Sequence, residues 1–156
     1  MPATVALLFA LTGCITIQLN NPTTGRDADG RLAETVDCAA QKTVTLNVAD
    51  TDYTLTGSCR EVTVEGTRLA VAAEDVTQLT VRGDANVIAV HAFGTLTVEG
   101  QGNQIEAGDG GDVAVNGNEN SVHSADDLHA VTVNGQGNDV TAEGFIVSFE
   151  ENGSSR

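Results

Sequence analysis

Apolar and polar residues alternate in short bursts along this chain, and the bursts recur at a nearly fixed distance. Val62 and Val64 flank Thr63, and the same apolar–Thr–apolar triplet returns at 79–81, 96–98 and 131–133, with Ala114 in the middle at 113–115. Two positions after each triplet stands a glycine: Gly66, Gly83, Gly100, Gly117 and Gly135, spaced by 17, 17, 17 and 18 residues. Five residues beyond each glycine comes another aliphatic side chain, at Val71, Ile88, Ile105, Val122 and Val140. Three beyond the last four glycines come Asn86, Asn103, Asn120 and Asn138, with Leu69 in the first copy. Alternation of period two predicts β-strands, and the glycines predict the corners between them.

A repeat of 17–18 residues is too short for a propeller blade or a helical repeat, but it suits one coil of a solenoid. The predicted fold is all-β: a single-stranded parallel β-solenoid (β-helix) with coils of 17–18 residues. Equivalent residues then stack about 4.8 Å apart. The triplet ends point inward, while Thr63, Thr80, Thr97 and Thr132 point to solvent. Glycine is expected where a corner needs positive φ. The Asn column is expected to form a ladder, because a buried amide is tolerated only when each rung satisfies the next. An outer column of Glu65, Arg82 and Glu99 alternates in sign, as stacked surface charges should.

The register extends outward in both directions. Val44, Leu46 and Tyr53 match Val62, Val64 and Val71 at a shift of 18, and Val147 with Phe149 resembles a final inward pair. The expected solenoid therefore spans residues 38–150, with 151–156 as a disordered tail.

The N-terminus carries a different signal. Residues 3–12 form an apolar run ending in Leu11-Thr12-Gly13-Cys14. A bilayer-spanning helix needs about 20 apolar residues, so this run has instead the length of an export signal's apolar core. The four residues resemble the bacterial lipobox, which implies residues 1–13 as signal peptide and Cys14 as the lipidated first mature residue. Residues 14–37 then read as anchor, tether and short cap. Export places Cys38 and Cys59 in an oxidising compartment, where two cysteines make one disulfide.

Charge narrows the choice of partners. The chain holds 22 Asp and Glu against 7 Lys and Arg, a formal charge of −15. Nucleic acid and anionic headgroups would be repelled, so membrane attachment runs through the lipid anchor. There is no Trp and only one Tyr, so strong stacking on sugars is not expected.

"DCAAQKTVTLNVADTDYTLTGSC" (residues 37–59), followed by repeated "VTVEG" units, resembles the bacterial domain-of-unknown-function family 3060. Cys38, Cys59, the segment Tyr53 to Cys59 and the repeats from Val62 to Val140 carry the resemblance, with Leu69 departing from the expected Asn. It implies an exported or lipid-anchored β-solenoid and supplies no activity or catalytic residue.

The remaining chemistry is sparse. His91, His123 and His129 show neither metal-ligand spacing nor a nucleophilic triad, and read as surface residues. Asp109 and Asp126 fall in one column with Asp112 and Asp127 nearby, so these four carboxylates form the candidate calcium edge. Coils of near-constant length leave no long loop to wall a substrate cleft. The expected function is that of a non-enzymatic, extracytoplasmic cell-envelope lipoprotein without cofactor. Its acidic face would meet an unknown envelope protein or glycan; the alternative is a calcium- or glycan-binding extracellular module.

Overall fold

The computed structural model describes residues 25–153 apart from Asp27. The lipobox and Cys14 therefore lie outside the described residues, as does the end of the C-terminal tail. Every regular element described is a β-strand: β1 (Gly25–Arg26), β2 (Leu32–Asp37), β3 (Thr43–Leu46), β4 (Thr51–Val64), β5 (Ala70–Val81), β6 (Val87–Val98), β7 (Gln104–Val115), β8 (Ser121–Ser124), β9 (Leu128–Val133), β10 (Asp139–Ala142) and β11 (Ile146–Glu151). All pair in parallel except β1, which runs antiparallel to β2. The chain is a parallel β-solenoid.

Register follows the repeat. Val62 pairs with Leu79, Leu79 with Leu96, Leu96 with Val113, Val113 with Val131, and Val131 with Phe149. The first coil obeys the shift of 18, with Val44 opposite Val62, Leu46 opposite Val64 and Tyr53 opposite Val71. Because equivalent residues stack, each apolar position becomes a continuous column, and the columns fuse into one core. Val62, Val64, Val81, Val98 and Val115 are wholly inaccessible to solvent. Burying an aliphatic side chain of this size stabilises by about 1.5–3 kcal/mol, so a core without Trp holds by repetition.

Side-chain size is balanced along the columns rather than within one coil. Phe93 pairs with Gly110, and a Cβ built on Gly110 would lie 2.6 Å from the Phe93 ring and 2.6 Å from Leu128. The blank at Gly110 is what admits the only large ring in that column.

One expectation is sharpened and two need correction. Residues 32–37, at the end of the anchor, tether and cap segment, already belong to the stack: β2 pairs with β4 from Leu32 opposite Thr51 to Asp37 opposite Thr56, so the stack starts six residues before Cys38. Val147 is not an inward residue. Phe149 takes the column of Val131 and Ile146 that of Leu128, which leaves Val147 71% exposed on the outer side. The outward Thr column is also less wet than alternation suggests, since Thr63, Thr97 and Thr132 are half-buried and Thr80 is buried.

Candidate functional site: stacked columns, an open groove and an acidic half

In a solenoid a site is a line of side chains, one per coil. The buried Asn line is the most ordered polar feature. Asn86, Asn103, Asn120 and Asn138 are at most 4% exposed. Each side-chain oxygen accepts the main-chain amide one coil earlier: Leu69 to Asn86 at 2.8 Å, then Asn86 to Asn103, Asn103 to Asn120 and Asn120 to Asn138, each at 3.0 Å. Each Nδ2 donates to the carbonyl of Gly66, Gly83, Gly100 or Gly117 at 2.8–3.0 Å. Amide-to-amide bonds exist too, from Asn103 to Asn120 at 3.1 Å and from Asn120 to Asn138 at 3.2 Å. The expected ladder is present, but its strongest rungs run between side chain and backbone.

That arrangement explains the glycines differently from the expectation. Only Gly135 of the repeat glycines has positive φ (127°). A Cβ on Gly83, Gly100 or Gly117 would lie 1.8–1.9 Å from the preceding glycine's carbonyl oxygen and 2.8–2.9 Å from its own coil's Asn Nδ2. Glycine is needed here for space, so that the Asn side chain can reach across. Positive φ sits two residues later, at Arg68, Ala85, Gly102, Glu119 and Gly137, and one coil earlier at Asp50. In this conformation the amides of Asp50, Arg68, Ala85, Gly102 and Glu119 point along the stack to carbonyls of Thr67, Asp84, Gln101, Asn118 and Gln136 at 2.9–3.2 Å.

The outer charged column is formed as expected. Arg82 bridges Glu99 at 2.9 Å and Glu65 at 3.6 Å. Sequence reasoning missed its continuation: Asn134 donates to Asn116 at 2.8 Å and Asn152 to Asn134 at 3.1 Å, an exposed second Asn ladder. The signal was present, because each of these residues directly precedes a glycine of the repeat. One coil corner carries a further pair, Arg68 with Asp50 at 2.7 Å. The Arg68 hydrogen bond holds the Asp50 carboxyl below its ordinary range, and the Arg82 guanidinium is raised chiefly by its hydrogen bond to Glu99.

Cys38 and Cys59 form a disulfide with Cα atoms 4.9 Å apart, both sulfurs' residues being buried. It joins the segment entering the first coil to the last third of β4.

The histidines lie on the surface, each beside a carboxylate. His129 Nδ1 is 2.8 Å from Asp112, His91 Nδ1 is 3.2 Å from Asp75, and His123 Nε2 is 3.8 Å from Glu143. His123 stacks beside Glu106 in the backbone register, yet its ring reaches forward, with Nδ1 3.1 Å from the Thr141 hydroxyl.

Three of the four carboxylates of the candidate calcium edge each have a partner of their own. Asp112 faces His129, Asp126 accepts the amide of Asp127 at 2.9 Å, and Asp127 accepts the amide of Phe145 at 2.7 Å. Among the described residues no three His, Cys, Asp or Glu side chains converge on a metal position. One oxygen each of Asp112, Asp126 and Asp127 is engaged, by a neighbouring ring or a turn amide.

An open groove of about 490 Å³ runs across the coils beside Ala72, Ala89, His91, Glu106, Gly108 and His123. Its small side chains make a shallow floor open to water, with a carboxylate and two imidazoles on the rim. Such a surface can hold an extended polar segment by hydrogen bonds. It offers no enclosed volume in which a nucleophile or general base would be shielded from solvent.

Charge is distributed unevenly along the stack. Residues 83–153 hold twelve Asp and Glu without a single Lys or Arg, whereas residues 26–82 hold ten acidic and six basic residues. Comparison with curated proteins and with solved structures returns no match. A family model does match residues 47–95, from the first coil through Cys59 to Thr95 in β6. Over that stretch the chain is similar to the family described as protein of unknown function (DUF3060).

Proposed function

We propose that this chain is a non-enzymatic cell-envelope lipoprotein, held at a membrane through Cys14, whose solenoid presents an acidic face to a cationic partner. The observation that carries the reading is the unbroken acidity of residues 83–153 on a rigid stack. Stacking repeats each exposed column at a fixed rise, so carboxylates without intervening cations add their potentials over several coils. The open groove and the exposed, carboxylate-paired histidines fit a binding surface better than a reaction centre.

Two measurements test the two halves of this proposal. The full chain expressed in a bacterium should partition into detergent, and Cys14→Ser should move it to the aqueous phase; equal partitioning of both removes the anchor. A surface coated with oligolysine should retain the protein at low salt and release it as salt rises past about 0.15 M. Asp84→Asn with Glu99→Gln and Glu106→Gln should lower the releasing salt concentration, and an unchanged release profile would remove the acidic face.

A further inference from the structure

The two ends of the stack are finished differently. At the first end Val44 and Leu46 are 0% and 2% exposed, and β1 folds back antiparallel on β2. At the last end the core columns are left uncovered by the described residues. Phe149, whose partner Val131 is 1% exposed, is itself 52% exposed, and Phe145 and Val147 beside it are 80% and 71% exposed. Among the described residues β10 pairs only with β8 and β11 only with β9, so alternate main-chain amides and carbonyls of both face away from the stack.

An open edge of this kind is a template for a further strand, and proteins usually blunt it with Lys, Pro or a covering element. Residues 83–153 contain neither Lys nor Pro. What the last coil presents beside its apolar residues is negative charge: Asp139, Glu143, Glu150 and Glu151 all lie on or next to β10 and β11. A second copy docking the same end would bring these carboxylates face to face, which like charges disfavour. A second copy docking its first end would meet the antiparallel β1.

We propose that this open coil is a strand-docking site for an extended segment of another protein, one that alternates apolar residues with Lys or Arg and adds as a further parallel rung. Main-chain bonds to β10 and β11 supply the affinity. Apolar side chains cover Ile146 and Phe149, and cations meet Glu143, Glu150 and Glu151. The sign of the partner's charge rests on the acidic reading above, whereas its location rests on the uncovered core.

The test is fluorescence anisotropy of a labelled peptide of about eight residues alternating Val and Lys, titrated with the full chain. Binding should weaken with salt and fall about tenfold or more in Val147→Lys with Phe149→Lys. Val147→Lys alone, at a site already 71% exposed, guards against misfolding and should show a smaller loss at an unchanged melting temperature. The face variant carrying Asp84→Asn, Glu99→Gln and Glu106→Gln should lose much less than the end variant. Loss in the face variant with binding retained in the end variant would remove the docking site and leave the acidic face standing. Failure of the peptide to bind at all would overturn the docking site, as would sedimentation as a dimer that Phe149→Lys dissociates.

Discussion

The main-chain amide of Asn103 donates to the side-chain oxygen of Asn120, 3.0 Å away and seventeen residues further along the chain. That single bond ties together three features of the sequence. It requires the 17-residue register, since one residue of slip would turn Asn120 out of the core. It requires Gly117, where a Cβ would lie 2.8 Å from the Asn120 Nδ2 and 1.8 Å from the Gly100 oxygen to which that Nδ2 donates. It also makes the column directional, each coil holding the amide of the coil before it.

Glycine's two jobs can be separated by mutation. Gly100→Ala places a Cβ 1.9 Å from the Gly83 oxygen and should cost about 3 kcal/mol through forced backbone displacement. Gly102→Ala meets nothing within 4 Å but has φ 63°, and should cost about 1 kcal/mol. The converse change, Ala85→Gly at φ 55°, should be neutral or stabilising by up to about 1 kcal/mol. Urea unfolding of the three variants checks the order; equal losses for Gly100 and Gly102 would contradict it.

Two acidic side chains should give opposite pH signatures. Asp50 is held below its ordinary pKa by the Arg68 hydrogen bond, so its contribution is present above the unfolded value of about 3.9 and fades as pH falls through the folded one. Asp50→Asn should therefore lower the melting temperature slightly at pH 7 and have no effect in strong acid. Burial raises Glu34, so its protonated form favours the fold and that contribution is lost as pH rises through its pKa. Glu34→Gln should raise the melting temperature at pH 7 and be silent below about pH 4. Calorimetric scans across this range decide both signs.

The disulfide closes a segment of 21 residues between Cys38 and Cys59. Chain-entropy arguments assign such a loop about 3 kcal/mol. Replacing Cys38 and Cys59 by Ala should lower stability by about that amount, and in the Cys14→Ser chain a thiol probe should label the native protein only after reduction. Labelling of the unreduced, folded chain would contradict the bond.

Much of this architecture was legible because repetition states each position several times. The inward columns, the Asn line and the charged column from Glu65 to Glu99 all follow from spacing alone. The role of Gly100 was not legible, because a glycine spared for space and one spared for φ look alike in a sequence. Ala85 and Glu119 hide the positive-φ column for the same reason, since neither residue type signals it. Val147 was misplaced because the last coil has no following copy to fix its register. The calcium edge was legible only as a column: shared spacing brings Asp residues to similar heights, but where each carboxylate points depends on turns such as that of Asp127 and Phe145.

A buried Asn column holds the coils in register, and substitution at Asn120 puts that column under strain. Asn120→Leu strips acceptors from the Asn103 amide and side chain and a donor from the Gly100 carbonyl. It should cost roughly 1–3 kcal/mol for each polar group left buried and unpaired. Asn138→Leu removes the matching set around Asn120 and Gly117 and should cost nearly as much. Asn118→Leu, two residues earlier, loses only an exposed bond from the Gln136 amide and should shift stability by less than about 0.5 kcal/mol. The measurement is the unfolding midpoint in urea for Asn120→Leu beside Asn118→Leu. A large fall for the first and almost none for the second is the predicted result; equal, small shifts for both would contradict the register on which every column here depends.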